Sequence, residues 1–460
     1  MAKKEIFCNL WPPLTIYIMK GKREPAMTFS DLMFIFRFLP LFLLIYYLTP
    51  RAYRNWTLLA GSILFYYIGI EEHTWMLGLL LGIALSTWGG GLLIGALARG
   101  RKILLGIVLT LLFGCLLTFK YAGLFSGESL LLPLGISFYT FQTAAYIIDI
   151  YRRQLRPERS LPRYLTAMLM FPKLISGPLT CYGEIARQLR YRNYTLHNFD
   201  RGLRDFILGL GLKVLLANQI GGLWKDIQVI GFESISAPLA WMGLIAFSLQ
   251  LYFDFYGYSL MAVGLGRMLG FTLPDNFDHP YAARSMSDFW RRWHITLGRW
   301  FRNYLYIPLG GSRQGQAKHI RNLLIVWLAT GIWHGSTVNF LLWGLFLFLL
   351  IASEKIWLGK KLEQHHILAH LYMLFAIMLS WLFFAITDLS QLGIYLGRLF
   401  IGFDFGNSAT LDFLHYGQEY GLLLICGIVL AMPGPAKMWR RMRHSVFGTI
   451  ILLLVFWLSV

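Results

Sequence analysis

The feature that most limits how this chain can fold is the repeated return of apolar runs long enough to cross or enter a lipid bilayer. They lie at about 32–48, 56–70, 75–98, 103–118, 130–150, 164–180, 203–219 and 235–265, then at 322–352, 368–387, 391–402, 420–433 and 446–460. A helix needs roughly 20 mostly apolar residues to span the hydrocarbon core, and shorter runs fit re-entrant or tilted segments. Because lipid cannot satisfy backbone hydrogen bonds, such runs fold as helices. The expected fold is an all-α polytopic membrane protein with about 10–13 tilted transmembrane and re-entrant helices. Composition agrees, since 57% of the 460 residues are hydrophobic and 14% are charged, against about 25% charged in a soluble domain. A soluble globule, a disordered chain and a disulfide-stapled module are excluded. The cysteines Cys8, Cys115, Cys181 and Cys426 show no CxxC and no zinc-like spacing, so no metal is expected.

Charge is the second constraint. The chain carries 42 Lys plus Arg against 23 Asp plus Glu, a net +19. In a soluble protein that excess would point to nucleic acid. Here the cations fall in short stretches between apolar runs, such as Arg99, Arg101 and Lys102, or Lys437, Arg440, Arg441 and Arg443. Cationic loops beside membrane helices stay cytoplasmic and attract anionic headgroups, so membrane lipids are the expected partner and nucleic acid is not. Residues 1–27 read as a basic N-terminal extension, either cytoplasmic or a start-site artefact with Met27 as the native start. The membrane domain is expected over 28–460.

Some runs are interrupted in ways that a simple anchor does not need. Residues 131–151 contain Pro133 and Gly135, then Gln142 and Asp149, while FPKLISGP places Lys173 between two prolines. Broken backbone and ionisable side chains are tolerated in a membrane where they face protein or a wet cavity. The alternative is that these are only kinks and interfacial ends. The basic and aromatic interval 275–321 carries Arg284, Arg291, Arg292, Arg299 and Arg302, with Asp288 as its one acid from Arg284 onward. Its length from 284 to 306 predicts one or two amphipathic helices with Ser285 or Ser287 as N-cap. On one helix Phe289, Trp293, Thr296 and Trp300 share a face. Either this is a surface anchor, or it folds over a cavity mouth and positions anionic parts of a substrate.

Two histidines are candidates for chemistry. His334 stands near the centre of an apolar stretch of roughly 30 residues and must be paired, buried in protein or solvated by a cavity. Gly331 and Gly335 either admit another segment or break the helix. His294 lies in FWRRWHITLGRW, where Arg291 and Arg292 are expected to disfavour its protonation. A neutral imidazole is a suitable base for a hydroxyl attacking an activated acyl carbonyl, with Asn339, Trp333, Tyr139 or a backbone N–H as oxyanion donor. No nucleophile elbow, P-loop, dinucleotide fingerprint or HExxH element offers another mechanism.

The segments PLGISFYTFQ, MFPKLISGP, DNFDHPYAARSMSDFWRRWHITLGRWFRNYLYIPLGG and GIWHG together resemble the membrane-bound O-acyltransferase superfamily, in its bacterial alginate O-acetylase-like branch. The likeness runs from about Met27 to the C-terminus and is most specific in the central half. It implies a ring of tilted helices around a reaction chamber, with funnels from opposite membrane faces. His334 is implied as the catalytic residue and His294 as a second polar residue of the chamber. Arg291, Arg292, Trp333, Asn339, Tyr139, Gln142 and Lys173 are candidates for positioning substrate or donor.

The resemblance also implies a bacterial inner-membrane enzyme with no permanently bound cofactor. Acetyl-coenzyme A, or an acylated carrier such as an acyl-carrier protein, is the expected co-substrate. The acyl group would pass to an exported polysaccharide, directly or through an extracytoplasmic acetyltransferase partner. D-alanyl transfer toward teichoic acid is the alternative, and a membrane transporter is a more distant one.

Overall fold

The computed structural model describes residues 27–126, 130–401 and 410–460. Of the expected N-terminal extension, 1–26 lie outside the described residues, and Met27 is buried. All regular elements among the described residues are helices, and they gather into two compact units.

The first unit comprises residues up to 206 together with 258–275. It holds α1 (Leu39–Leu48, entered through a π-helical turn at Phe34–Phe38), α2 (Arg54–Gly69), α3 (Trp75–Ala96), α4 (Arg101–Ser126), α5 (Ile136–Tyr151), α6 (Leu161–Leu169), α7 (Phe171–Leu174) and α8 (Tyr182–Ile185). Most of α9 (Leu196–Gly211) also belongs here. Helix α4 is largely apolar and turns most of its side chains outward, with Ile103 and Leu111 70% and 67% exposed, as a lipid-facing helix does. By contrast, α5 is buried on nearly every side.

Two apolar runs give shorter helices than their length suggests. The run 130–150 begins as extended chain, and Gly135, at φ +73°, opens α5. A Cβ there would be strained and would sit 2.7 Å from the Leu174 carbonyl oxygen. The run 164–180 is divided between α6 and α7 at Met170–Phe171. Pro172 fits the first turn of α7 but lacks the N–H that a continuing helix would require.

The second unit comprises 207–257 and 276–460. A π-helical segment, Leu212–Ala217, joins α9 to α10 (Asn218–Ile230), and α11 (Ala237–Met268) follows, its part from Tyr258 on belonging to the first unit. Lys213 and Asp254 form a buried ion pair between these helices. Then come α12 (Met286–Arg292), α13 (Ile295–Phe301), α14 (Gln316–His334) and α15 (Val338–Ser353). A π-helical turn at Glu354–Leu358 leads into α16 (Gly359–Gln364), followed by α17 (His366–Ala385), α18 (Leu389–Phe400), α19 (Thr410–Ala431), α20 (Pro433–Met442) and α21 (Val446–Ser459).

Seven helices among the described residues are long and apolar enough to cross a membrane, or eight if α20 and α21, bent by 116°, count as one span. The apolar runs outnumber them because proline and glycine divide several runs into shorter helices. The protein is an all-α polytopic membrane protein.

Candidate active site

The 322–352 run folds as a hairpin that ends its first helix on His334. Gly335 then continues as extended chain, and α15 starts after Thr337, which stands at the N-cap position without a side-chain cap bond. Small residues bring the hairpin's backbones together: a Cβ at Gly344 would lie 2.5 Å from the Trp327 carbonyl oxygen, and one at Gly331 would strike that of Phe340. Gly335 leaves the space filled by the Phe340 ring. Both sequence expectations for these glycines hold, since the run is broken and another segment comes close. The His334 imidazole is buried, with ring centres of Trp333, Trp343 and Phe384 at 4.6, 4.9 and 5.1 Å.

His294 stands between two short helices. Ser285 caps α12, its hydroxyl accepting from the Asp288 N–H at 3.0 Å, as one of the two cap expectations had it. The chain leaves α12 at Trp293, and His294 takes left-handed backbone angles (φ +43°, ψ +53°) before α13 begins. This conformation is uncommon for a side chain other than glycine. The segment 276–278 holds the turn through Ile295 N–H to the Asn276 carbonyl and Asp278 N–H to the Arg292 carbonyl, both 3.0 Å. The single-helix face expected for Phe289, Trp293, Thr296 and Trp300 is therefore divided by this turn, although all four are buried.

The His294 Nδ1 lies 3.0 Å from Asn276 Oδ1, and Phe255 meets the ring edge-on at 4.8 Å. Burial pushes the imidazole down to about 3, so the ring is neutral. Desolvation is the cause, rather than the expected repulsion by Arg291 and Arg292, which both pair with Asp288 at 3.2 and 3.1 Å.

Both histidines line one cavity of about 1290 Å³. One stripe of α14 forms a wall: His319, Leu323, Val326, Trp327, Thr330 and His334. Their helical spacing places them on one face, and the 15-residue step from His319 to His334 rises about 22 Å. Arg284, Arg291, Arg302 and Lys355 also line the cavity and are exposed, whereas His294 and His334 are only 3% and 6% exposed. Cations thus stand where the cavity meets solvent and imidazoles where it is enclosed. Asp288, Glu354 and Glu363 add acids to the lining.

Glu354 is buried and holds α12 in place. Its carboxylate accepts the Met286 N–H at 2.6 Å, the Ser287 N–H at 3.0 Å and the Ser287 hydroxyl at 2.9 Å. Neither Glu354 nor Asn276 stands out in the sequence, because their partners are 68 and 18 residues away. An acid at the end of a long apolar run was the available signal for Glu354.

The remaining candidates fall in different places. The Trp333 ring lies 4.6 Å from His334 and 6.5 Å from His294. Asn339 donates its amide to the Ile386 carbonyl at 2.8 Å, tying α15 to the end of α17, and does not line the cavity. Arg292 is also outside the lining. Tyr139, Gln142 and Lys173 belong to the first unit. There the Lys173 ammonium donates to Gln142 Oε1 at 2.7 Å and to the Thr180 carbonyl at 3.3 Å, and burial pushes it down to about 7.

Residues 104–387 match the MBOAT, membrane-bound O-acyltransferase family. The chain is 36% identical to a probable alginate O-acetylase of Pseudomonas syringae pv. tomato, over 89% of this chain and 82% of that protein. It is 33% identical to a peptidoglycan O-acetyltransferase of Helicobacter pylori, over 80% and 78%. A teichoic acid D-alanyltransferase of Bacillus subtilis is 28% identical over 46% of this chain and 56% of its own length. With more than half its length matched by the family and relatives above 30% identity along most of the remainder, this chain belongs to the membrane-bound O-acyltransferase family.

Proposed function

We propose that the protein, in the bacterial inner membrane, transfers an acetyl group from a cytoplasmic thioester donor to a hydroxyl of an exported polysaccharide, with His334 as general base. The observation that carries this reading is the shared cavity: two buried imidazoles line it together with exposed cations. Acetyl-coenzyme A or an acylated carrier bears phosphate, which the cations Arg284, Arg302 and Lys355 attract. Imidazole has a proton affinity suited to a hydroxyl near neutral pH. His334 takes the proton as the hydroxyl oxygen bonds to the acyl carbon. When the carbon–sulfur bond breaks, the imidazolium returns a proton to the leaving thiolate. His294 acts as the second polar group of the site. Acetyl transfer to polymers by the two relatives named for O-acetylation supports the choice of acyl group and acceptor.

The acetyl group reaches the polysaccharide directly or through an extracytoplasmic acetyltransferase partner. D-alanyl transfer is the second reading, favoured by the partial match to the Bacillus subtilis relative. Membranes containing wild-type or His334→Ala protein at equal levels are supplied with acetyl-coenzyme A or a D-alanyl carrier labelled in the acyl group. Base-labile label in extracellular polymer is then measured. Histidine-dependent label from acetyl-coenzyme A supports acetyl transfer. Label from the D-alanyl donor alone rejects it.

A further inference from the structure

We infer that Asn276 is a positioning residue that fixes the His294 ring as its Nδ1–H tautomer, so that Nε2 is left as the ring's hydrogen-bond acceptor in the reaction cavity while His334 remains the base. This rests on the proposed function, in which His294 shares the reaction cavity with His334. The orientation of the Asn276 amide follows from Thr296. Its backbone N–H can only donate, and it lies 3.2 Å from the same Asn276 atom that meets His294 Nδ1. That atom is therefore the oxygen. The Thr296 hydroxyl donates to it as well, at 2.9 Å. An amide oxygen carries no proton, so His294 Nδ1 must donate at 3.0 Å. A neutral imidazole has one N–H, which leaves Nε2 as the acceptor.

The clamp extends beyond one hydrogen bond. The Asn276 backbone carbonyl receives the Ile295 N–H, holding the left-handed turn, while Phe255 stands edge-on to the ring. Asn276 thus fixes both the backbone and the tautomer of His294, as outer-shell partners do for metal-bound histidines. An asparagine, unlike a carboxylate, does this without adding charge. The charged or titratable groups on neighbouring elements include Tyr252, Tyr256 and Asp254, the last paired with Lys213, on α11; Asp278 beside the turn; Asp288, Arg291 and Arg292 on α12; Arg299 on α13; and His334 on α14.

The test compares wild-type, Asn276→Asp, Asn276→Ala, Thr296→Val and His334→Ala proteins in membranes at matched levels. Acetyl transfer from radiolabelled acetyl-coenzyme A to extracellular polymer is followed across pH. Asn276→Asp keeps the acceptor oxygen and places a negative charge beside Nδ1–H, which favours imidazolium. His294 then holds a proton at pH values where the wild-type ring is neutral, and transfer falls at a pH where the wild-type protein, limited by His334, is still active. Asn276→Ala frees the tautomer and lowers kcat about 10–100-fold. Thr296→Val keeps the Nδ1 bond and the wild-type pH profile. An Asn276→Asp profile identical to wild type, with His334→Ala inactive, overturns the inference while leaving the proposed function standing. Full activity of His334→Ala overturns the proposed function itself.

Discussion

Replacing Glu354 by alanine tests how the site is assembled. Its carboxylate accepts two backbone N–H groups and one hydroxyl at the start of α12, at 2.6–3.0 Å. α12 has only seven residues, too few to persist on its own. Each buried N–H left without a partner costs about 1–3 kcal/mol, so two cost about 2–6 kcal/mol. Water entering from the cavity offsets part of this, because Glu354 lines it, and the lower end, about 2–3 kcal/mol, is expected for the docked state of α12. Glu354→Gln falls between alanine and wild type, since it keeps an acceptor oxygen but turns an NH₂ toward a donor.

Hydrogen–deuterium exchange of peptides covering 285–294 reads this loss directly. A 2–3 kcal/mol weakening speeds local exchange by about 30–150-fold, while peptides in α3 and α4 should exchange as in wild type. Acyl transfer per folded molecule falls in parallel. Wild-type protection over 285–294 in Glu354→Ala would refute the claim that this carboxylate holds α12.

Three further outcomes follow from packing and charge. Gly331→Ala, which puts a Cβ against the Phe340 carbonyl, should destabilise by about 1–3 kcal/mol, whereas Gly78→Ala and Gly82→Ala meet no atom within 4 Å and should gain up to about 1 kcal/mol in detergent melts. Lys213→Met alone should cost about 3–5 kcal/mol by stranding buried Asp254, and adding Asp254→Leu should restore most of it, as a double-mutant cycle would show. His294 has a folded pKa pushed down to about 3, below its unfolded value of about 6.5. Its contribution is complete above pH 6.5 and is lost as pH falls toward 3, at up to about 1.4 kcal/mol per pH unit. Denaturation midpoints across that window should flatten in His294→Asn.

Local chemistry in the sequence foretold local structure. Apolar runs identified the helices, Ser285 its cap, and GIWHG a break closed by small residues. Less legible were contacts made by residues distant along the chain. The left-handed turn at His294 depends on Asn276, and the α12 start depends on Glu354, so the sequence of 284–306 alone leaves one helix or two open. Arg291 and Arg292 stand next to His294 in sequence, yet Asp288 engages both and burial sets the ring's proton affinity. Asn339 gives one of its two amide N–H groups to the Ile386 carbonyl and stands outside the cavity lining, a placement that closeness to His334 in sequence does not reveal. Pro172, visible in FPKLISGP, marks where the 164–180 run divides into α6 and α7.

The central claim is that His334 and His294 serve one reaction in one cavity. Its most direct test is acetyl transfer by wild-type, His334→Ala, His294→Ala and doubly substituted protein at matched membrane levels. The account predicts loss of transfer in His334→Ala, a large loss in His294→Ala, and a double variant no worse than His334→Ala, because residues acting as a unit are not additive. Transfer by His334→Ala at the wild-type rate would contradict it.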